Sequence, residues 1–324
     1  MKNPIPLRYR IFKKYKGAIP NPKDHRDIIL GADIYTPDPK CPSWEEGFSN
    51  EKKYGKLKRE HQGSSLSCCG QGWSKYLEML NKIELTKKQY ENTDTDLSAR
   101  DIYSQIYLPE GGAYIRQGAK LCVKKGNCSE SLMPSYDNGN PTEQFMRKRD
   151  DASDITIADA LVYKSKESKF AGLPTPLRES DWENVRQIIW QFGGFVSGYQ
   201  RHCMYASAYG LVNGKKSIHF INSYGVNNDR TYTEGDGKAL YDVTFLIDQS
   251  NSLTNKNMEY VIIGKEQYLI YEPLKIALNI GDELELKKLQ DKGLTGSPKE
   301  ISDLNNYLIY PLVEQNRLKD LLGL

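Results

Sequence analysis

Histidine is scarce in this chain, with four residues at 25, 61, 202 and 219. A general base working near neutral pH is most often an imidazole, so few residues are candidates for proton transfer. Six cysteines stand at 41, 68, 69, 122, 128 and 203. Cys68 differs from the rest because it follows a polar approach, Gln62-Gly-Ser-Ser-Leu-Ser, and opens a stretch of helical periodicity. A thiol in the first turn of a helix sits at the positive end of the backbone dipole, which favours thiolate. Gln62, six residues earlier, is placed to turn its side-chain amide to the same point. With the backbone N–H of Cys68 it makes two donors for an oxyanion. Farther along, Asn213-Gly214 is a strong two-residue hairpin signal that brings His202 and Asn222 to the open ends of paired strands. An asparagine there accepts from one imidazole nitrogen and leaves the other for the thiol.

These residues need elements to hold them. From Cys68 to Leu85, Cys69, Trp73, Tyr76 or Leu77, Leu80 and Ile83 recur at helical spacing, with Lys75, Glu78, Asn81 and Lys82 expected on the opposite, solvated side. Ser64, Ser65 and Ser67 precede the helix and are suited to cap it. Further helices are predicted over 97–107 and 114–125, separated by Pro109-Glu110-Gly111-Gly112, and over 181–192, with Trp182, Val185, Ile188 and Ile189 inward. After Phe192 the texture changes to strands, over 194–199, 204–212, 217–222 and 241–247. Beyond a polar loop over 248–257 lies a last unit with a hairpin about Gly264-Lys265, a helix over 282–292 closed by Gly293, and a final helix ending near Leu322. Helices first and strands later predict an α+β fold with a small α/β C-terminal appendage.

Composition bounds the function classes. A chain of 324 residues with 38% hydrophobic and 27% charged residues is globular, neither disordered nor fibrous. No apolar run approaches the roughly 18 residues of a membrane span. The basic start, residues 1–10, lacks the apolar stretch of about 7–15 residues of a secretory signal, so the expected location is cytoplasmic or virion-associated. Forty-five basic against 42 acidic residues give a net charge of +3, too balanced to imply nucleic acid or a membrane surface as partner. Neighbouring Cys68 and Cys69 are poor partners for each other, whereas Cys122 and Cys128 flank a short loop and could pair in an oxidising compartment. The cysteine spacing offers no zinc set, and no metal or cofactor is expected.

Read in order, the local words resemble the papain family of cysteine peptidases. They are Gln62-Gly63 with Ser67-Cys68-Cys69-Gly70, then His202-Cys-Met-Tyr-Ala, then Asn222-Ser-Tyr-Gly225. Between them, Glu110-Gly-Gly-Ala-Tyr-Ile-Arg116 lies where that family places the glycines that bind substrate backbone. Upstream, Ile19-Pro-Asn-Pro-Lys-Asp-His-Arg26 or Pro42-Ser-Trp44 resembles the start of a mature family domain. The resemblance spans about residues 19–248, leaving an N-terminal extension over 1–18 and an accessory module over 249–324.

The resemblance implies a two-lobed fold with a cleft between a helical lobe and an antiparallel β lobe. It implies Cys68 as nucleophile, His202 as general acid/base, Asn222 as imidazole orienter and Gln62 as oxyanion donor. Gly111 and Gly112 would bind the backbone of a peptide or protein substrate. Tyr224 stands where a tryptophan usually shields the Asn–His pair. The sequence also departs from the family pattern: Cys69 follows the nucleophile instead of tryptophan, Arg201 precedes the histidine, and Ser65 replaces a disulfide cysteine. No inhibitory propeptide of the usual length is expected before the domain. Two other readings share the Cys-His-Asn order: a cell-wall amidase, and a non-catalytic binding or structural protein. In either, residues 249–324 are a candidate anchor for a partner.

Overall fold

The stretch opened by Cys68 is, in the computed structural model, a helix of 20 residues buried along most of its length. The chain divides into two compact units, Met1–Ser250 and Asn251–Leu324. The structure describes residues 17–22, 28–29, 35–87, 95–136, 141–150, 152–173, 177–237, 240–247, 258–263, 266–271, 276–279, 299–300 and 308–309.

Seven helices are described in the first unit: α1 (Asn50–Tyr54), α2 (Cys68–Lys87), α3 (Ala99–Ile106), α4 (Ile115–Lys124), α5 (Glu143–Arg147), α6 (Asp154–Val162) and α7 (Glu179–Phe192). Its strands are β1 (Ala18–Ile19), β2 (Ile28–Ile29), β3 (Phe48–Ser49), β4 (Ala113–Tyr114), β5 (Glu167–Gly172), β6 (Phe195–Tyr199), β7 (His202–Val212), β8 (Lys215–Ile221), β9 (Arg230–Thr233) and β10 (Leu240–Ile247). Helices α2 to α6 make one lobe. Strands β5, β10, β6, β7, β8 and β9 make the other, an antiparallel sheet in that order, with β2 added in parallel beside β5. This is the α+β, two-lobed arrangement expected from the sequence.

Local chemistry explains the turns. Asn213 and Gly214 join β7 to β8 with φ of 52° and 74°, the two left-handed residues of a tight hairpin whose twist matches the strands. The β6–β7 turn was not legible from composition. Gln200 and Arg201 also have positive φ, 52° and 69°, without the glycine or asparagine that usually marks such a turn.

Helix α2 departs from its expected amphipathic form. Its apolar stripe packs as predicted, with Trp73 and Tyr76 fully buried and Tyr76 stacked on Tyr205 at 5.2 Å between ring centroids. The supposedly solvated side is buried too: Lys75, Glu78 and Lys82 are 4%, 1% and 3% exposed. Charge pairing makes this possible. Lys75 Nζ donates to Glu78 at 2.8 Å and lies 3.3 Å from Glu60 and 3.9 Å from Asp96. Isolated, any of these charges would be costly to bury; matched, they become part of the core. The serines before α2 bond within their own turn: Ser65 Oγ donates to Gln62 O at 2.6 Å and lies 2.7 Å from Ser67 Oγ. All six cysteines, Cys122 and Cys128 included, are free thiols.

The second unit contains a five-stranded sheet in the order β14 (Lys299–Glu300), β11 (Met258–Ile263), β12 (Glu266–Tyr271), β13 (Ile276–Asn279) and β15 (Leu308–Ile309). Strands β11 and β12 pair antiparallel up to Ile263 opposite Glu266, as the hairpin expected about 264–265 requires. The helices expected over 282–292 and toward 322 fall outside the described residues, as does His25. Among the described residues no helix is long and apolar enough to cross a membrane.

Candidate active site

Cys68 is the first residue of α2 and is fully buried. It faces the start of β7, where Cys203 N lies 3.4 Å from Cys68 Sγ and the His202 ring stands close enough to interact with the thiol. The paired turns anticipated from the sequence bring Asn222, just past the end of β8, against His202. Asn222 Oδ1 is 2.7 Å from His202 Nε2 and also accepts from Ser223 N at 2.8 Å. Asn222 Nδ2 donates to Asn228 O at 2.7 Å, which fixes the amide so that its oxygen faces the ring. The Nε2–H therefore points to Asn222, and the other ring nitrogen is left for the thiol. Tyr224 lies nearly parallel to the His202 ring, 4.9 Å between centroids and 20° between planes, and covers this hydrogen bond from one side.

Support comes from behind. Asn222 N donates to Asp229 Oδ1 at 3.1 Å, and Arg59 clamps Asp229 at 2.8 Å and Glu51 at 2.7 Å. Gln62 is equally fixed: its Oε1 accepts from Ser223 Oγ at 2.5 Å, and its Nε2 donates to Ser65 O at 2.8 Å. A short backbone seam joins these arms, with Gln62 N donating to Ser223 O and Gly225 N to Glu60 O, both at 2.8 Å. Between these bonds His61 bridges to Tyr224, its ring set edge-on at 5.9 Å. His219 lies on β8 and contacts Thr231 Oγ1 at 3.1 Å.

The cleft is occupied by the chain itself. Residues 17–21 form a strap across Cys68, and β1 pairs in parallel with β4, Ala18 opposite Ala113 and Ile19 opposite Tyr114. Gly17 O accepts from Ala113 N at 2.8 Å, and Ala18 N donates to Arg201 O at 3.4 Å. Only glycine fits where the strap crosses the thiol: φ at Gly17 is 89°, and a Cβ there would stand 2.6 Å from Cys68 Sγ. Gly112 is constrained in turn, since a Cβ on it would lie 2.5 Å from Gly17 O. The N–H groups of Gly111 and Gly112 are engaged beside the cleft, Gly111 N with Leu108 O of its own loop at 2.8 Å and Gly112 N with Tyr103 Oη of α3 at 2.9 Å. The N–H that pairs across the cleft belongs to Ala113.

The electrostatics follow from this occlusion. The helix dipole favours thiolate at Cys68, but burial outweighs it and, with the neighbouring Cys69 thiol, pushes the Cys68 pKa well up. Burial also disfavours the imidazolium of His202, yet its interactions with Cys68 and Asn222 prevail and its pKa is raised. The cation opposing that charge is Arg230, whereas Arg201 acts through its backbone carbonyl.

Several contributors carried no sequence signal. Glu143 on α5 accepts from Leu66 N at 2.7 Å and from Tyr103 Oη at 2.6 Å, which holds the approach to Cys68. Tyr241 Oη donates to the strap at Ala18 O, 3.2 Å away. An isolated glutamate in a five-residue helix and one tyrosine among 22 offer nothing to single them out.

No family model matches the chain, and no curated protein sequence does. Its similarity is to solved structures. Xylellain, a cysteine protease from Xylella fastidiosa, is 18% identical, with 73% of this chain and 97% of that one covered at a TM-score of 0.49. A structure from work on the mite allergens Blo t 1 and Der p 1 is 16% identical, with 75% and 77% covered at 0.49. ProCathepsin B from Trypanosoma congolense is 12% identical, with 75% and 90% covered at 0.51. With this likeness to a procathepsin, and with Cys68 on a helix between a helical and a β lobe, the fold of the chain is that of the papain-like cysteine proteases.

Proposed function

We propose that the chain is a cysteine peptidase in which Cys68 is the nucleophile, His202 the general acid/base, Asn222 the imidazole orienter and Gln62 a donor to the oxyanion. The observation that carries this reading is His202 held between the Asn222 amide oxygen and the Cys68 thiol. Once the strap leaves the cleft, Cys68 gives its proton to the free imidazole nitrogen and the sulfur attacks a peptide carbonyl. The charge that develops on oxygen meets the Cys68 N–H and the Gln62 amide. His202 returns the proton to the leaving nitrogen as the C–N bond breaks, which leaves a thioester. Water, deprotonated by His202, then hydrolyses the thioester, releasing the acid and restoring the thiol. A peptide chain would take the place of the strap beside Ala113 as an added strand.

The test uses two versions of the full chain, the wild type and Gly17→Val, in which the strap cannot seat. A thiol-directed epoxide should label Cys68 stoichiometrically in Gly17→Val and slowly in the wild type. His202→Ala in the Gly17→Val background should abolish both labelling and hydrolysis of fluorogenic peptides. Labelling at Cys69 or Cys203 in place of Cys68 would sink the proposal.

A further inference from the structure

Past Cys68 the strap ends on a feature that the peptidase reading does not use. Strand β10 falls out of register with β6 between Tyr241 and Thr244. At that break Asp242 has a φ of 57°, in the left-handed region that residues bearing a Cβ seldom adopt. Irregularities of this kind beside a cleft re-aim side chains. Here the break turns Tyr241 and Asp242 towards the strap. The Tyr241 ring lies across Gly198, where a Cβ would fall 2.1 Å from it, so the absent side chain makes room for the ring. Asp242 Oδ2 accepts from Asn21 N at 3.1 Å and from Asn21 Nδ2 at 2.9 Å. The other end of the same amide, Asn21 Oδ1, accepts from Arg116 N at 3.2 Å in the first turn of α4.

Two elements thus grip one carboxamide from opposite ends, β10 with an acceptor and α4 with a donor. We propose that Asp242 and the Arg116 N–H form a side-chain subsite that selects asparagine or glutamine in the peptide substrate, and that Asn21 of the strap fills it in the resting chain. This rests on the peptidase reading above. Donor and acceptor count decide the class. A carboxylate side chain would satisfy Arg116 N–H but stand against Asp242. An ammonium or guanidinium would satisfy Asp242 but leave the Arg116 N–H without an acceptor. An aliphatic side chain would match neither, and sites built to hydrogen-bond a substrate reject analogues that leave their polar groups unpaired. A carboxamide alone among these offers both faces.

One arm of the test needs no turnover. Iodoacetamide labelling of Cys68 in the full chain, read by peptide mass spectrometry, reports whether the strap is seated. Asn21→Asp sets carboxylate against carboxylate and is expected to raise the labelling rate about tenfold. Adding Asp242→Asn to it restores the donor–acceptor match and should restore protection, with thermal melts showing that both variants remain folded. Labelling of Asn21→Asp at the wild-type rate, or no rescue in the double variant, overturns the subsite. The second arm uses Gly17→Val and a fluorogenic peptide library varied at each position flanking the scissile bond. At one position glutamine or asparagine peptides should be cleaved about tenfold faster than the alanine, glutamate and lysine peptides, with that margin lost in Asp242→Ala. A preference for lysine or arginine at every selective position, or a ranking unchanged by Asp242→Ala, overturns the proposal. If no peptide is cleaved, the peptidase reading fails, and the labelling arm still decides whether the pocket reads a carboxamide.

Discussion

Helix α2 buries reactive chemistry in two ways about two turns apart. At its N-terminus Cys68 is neutral and covered by backbone: Gly17 crosses the sulfur, and the strap is held by hydrogen bonds from Ala113, to Arg201, from Tyr241 and, at Asn21, to Asp242 and from Arg116. Farther along, Lys75 and Glu78 are ionisable groups sealed in the core, with Lys75 paired to Glu78 and to Glu60. The first cover is narrow, and its strand β1 pairs with β4 in a two-stranded sheet separate from the large one. The second has no cover to lift. The cover over Cys68 is built from backbone pairing and a missing side chain, and the burial of Lys75 from neighbouring carboxylates.

The comparison can be broken at either end. The largest effect is on turnover: Cys68→Ala should lower peptide hydrolysis by on the order of 10⁴-fold or more while leaving the melting temperature nearly unchanged. A residual rate within tenfold of the parent would remove Cys68 from the chemistry. Next, Lys75→Met leaves Glu78 and Glu60 buried without their cation and should cost about 4 kcal/mol in urea unfolding. A loss below about 1 kcal/mol would mean that the cluster is not held by charge. Third comes pH. Burial pushes the Glu78 carboxyl up to about 7, Lys75 only partly offsetting it, and Glu130 is likewise raised to about 7 by burial. Both pKa values exceed that of the unfolded chain, so the folded state binds more protons, and their contribution is fully present below about pH 4.5 and lost as pH rises through 7. Glu78→Gln should therefore flatten the fall in stability between pH 4.5 and 7 by roughly 3 kcal/mol, read from denaturant titrations across that range. The smallest effect in energy is at the strap. Gly17→Val should shift the seated-to-open balance by about 1.4 kcal/mol or more, a tenfold gain in Cys68 alkylation with unfolding unchanged.

What the sequence disclosed depended on how local the physics was. The Asn213-Gly214 turn and the apolar stripe of α2 are short-range patterns, and each is found where the spacing puts it. The polar stripe of α2 was misjudged because helical periodicity separates polar from apolar without saying whether the polar side meets water or counter-ions; Glu60 and Asp96 arrive from elsewhere in the chain. The thiolate expectation failed for a related reason: the helix dipole is a property of α2, whereas the burial that outweighs it comes from residues distant in sequence, among them Cys203 and Gly17, the latter 51 residues earlier. The Gln200-Arg201 turn and the Asp242 irregularity are strained conformations imposed by the sheet on residues that do not announce them.

The seam between residues 60–62 and 223–225 has a consequence for motion. Gln62 comes from the approach to α2 and Asn222 from the end of the sheet, yet two backbone hydrogen bonds and the His61–Tyr224 bridge splice them into one stretch of ribbon. On the proposed function a substrate enters where the strap lies, and this splice stays closed. The Gln62 and Gly225 amides should then be among the slowest of the cleft to exchange with deuterium, and the amide of Ala18 among the fastest.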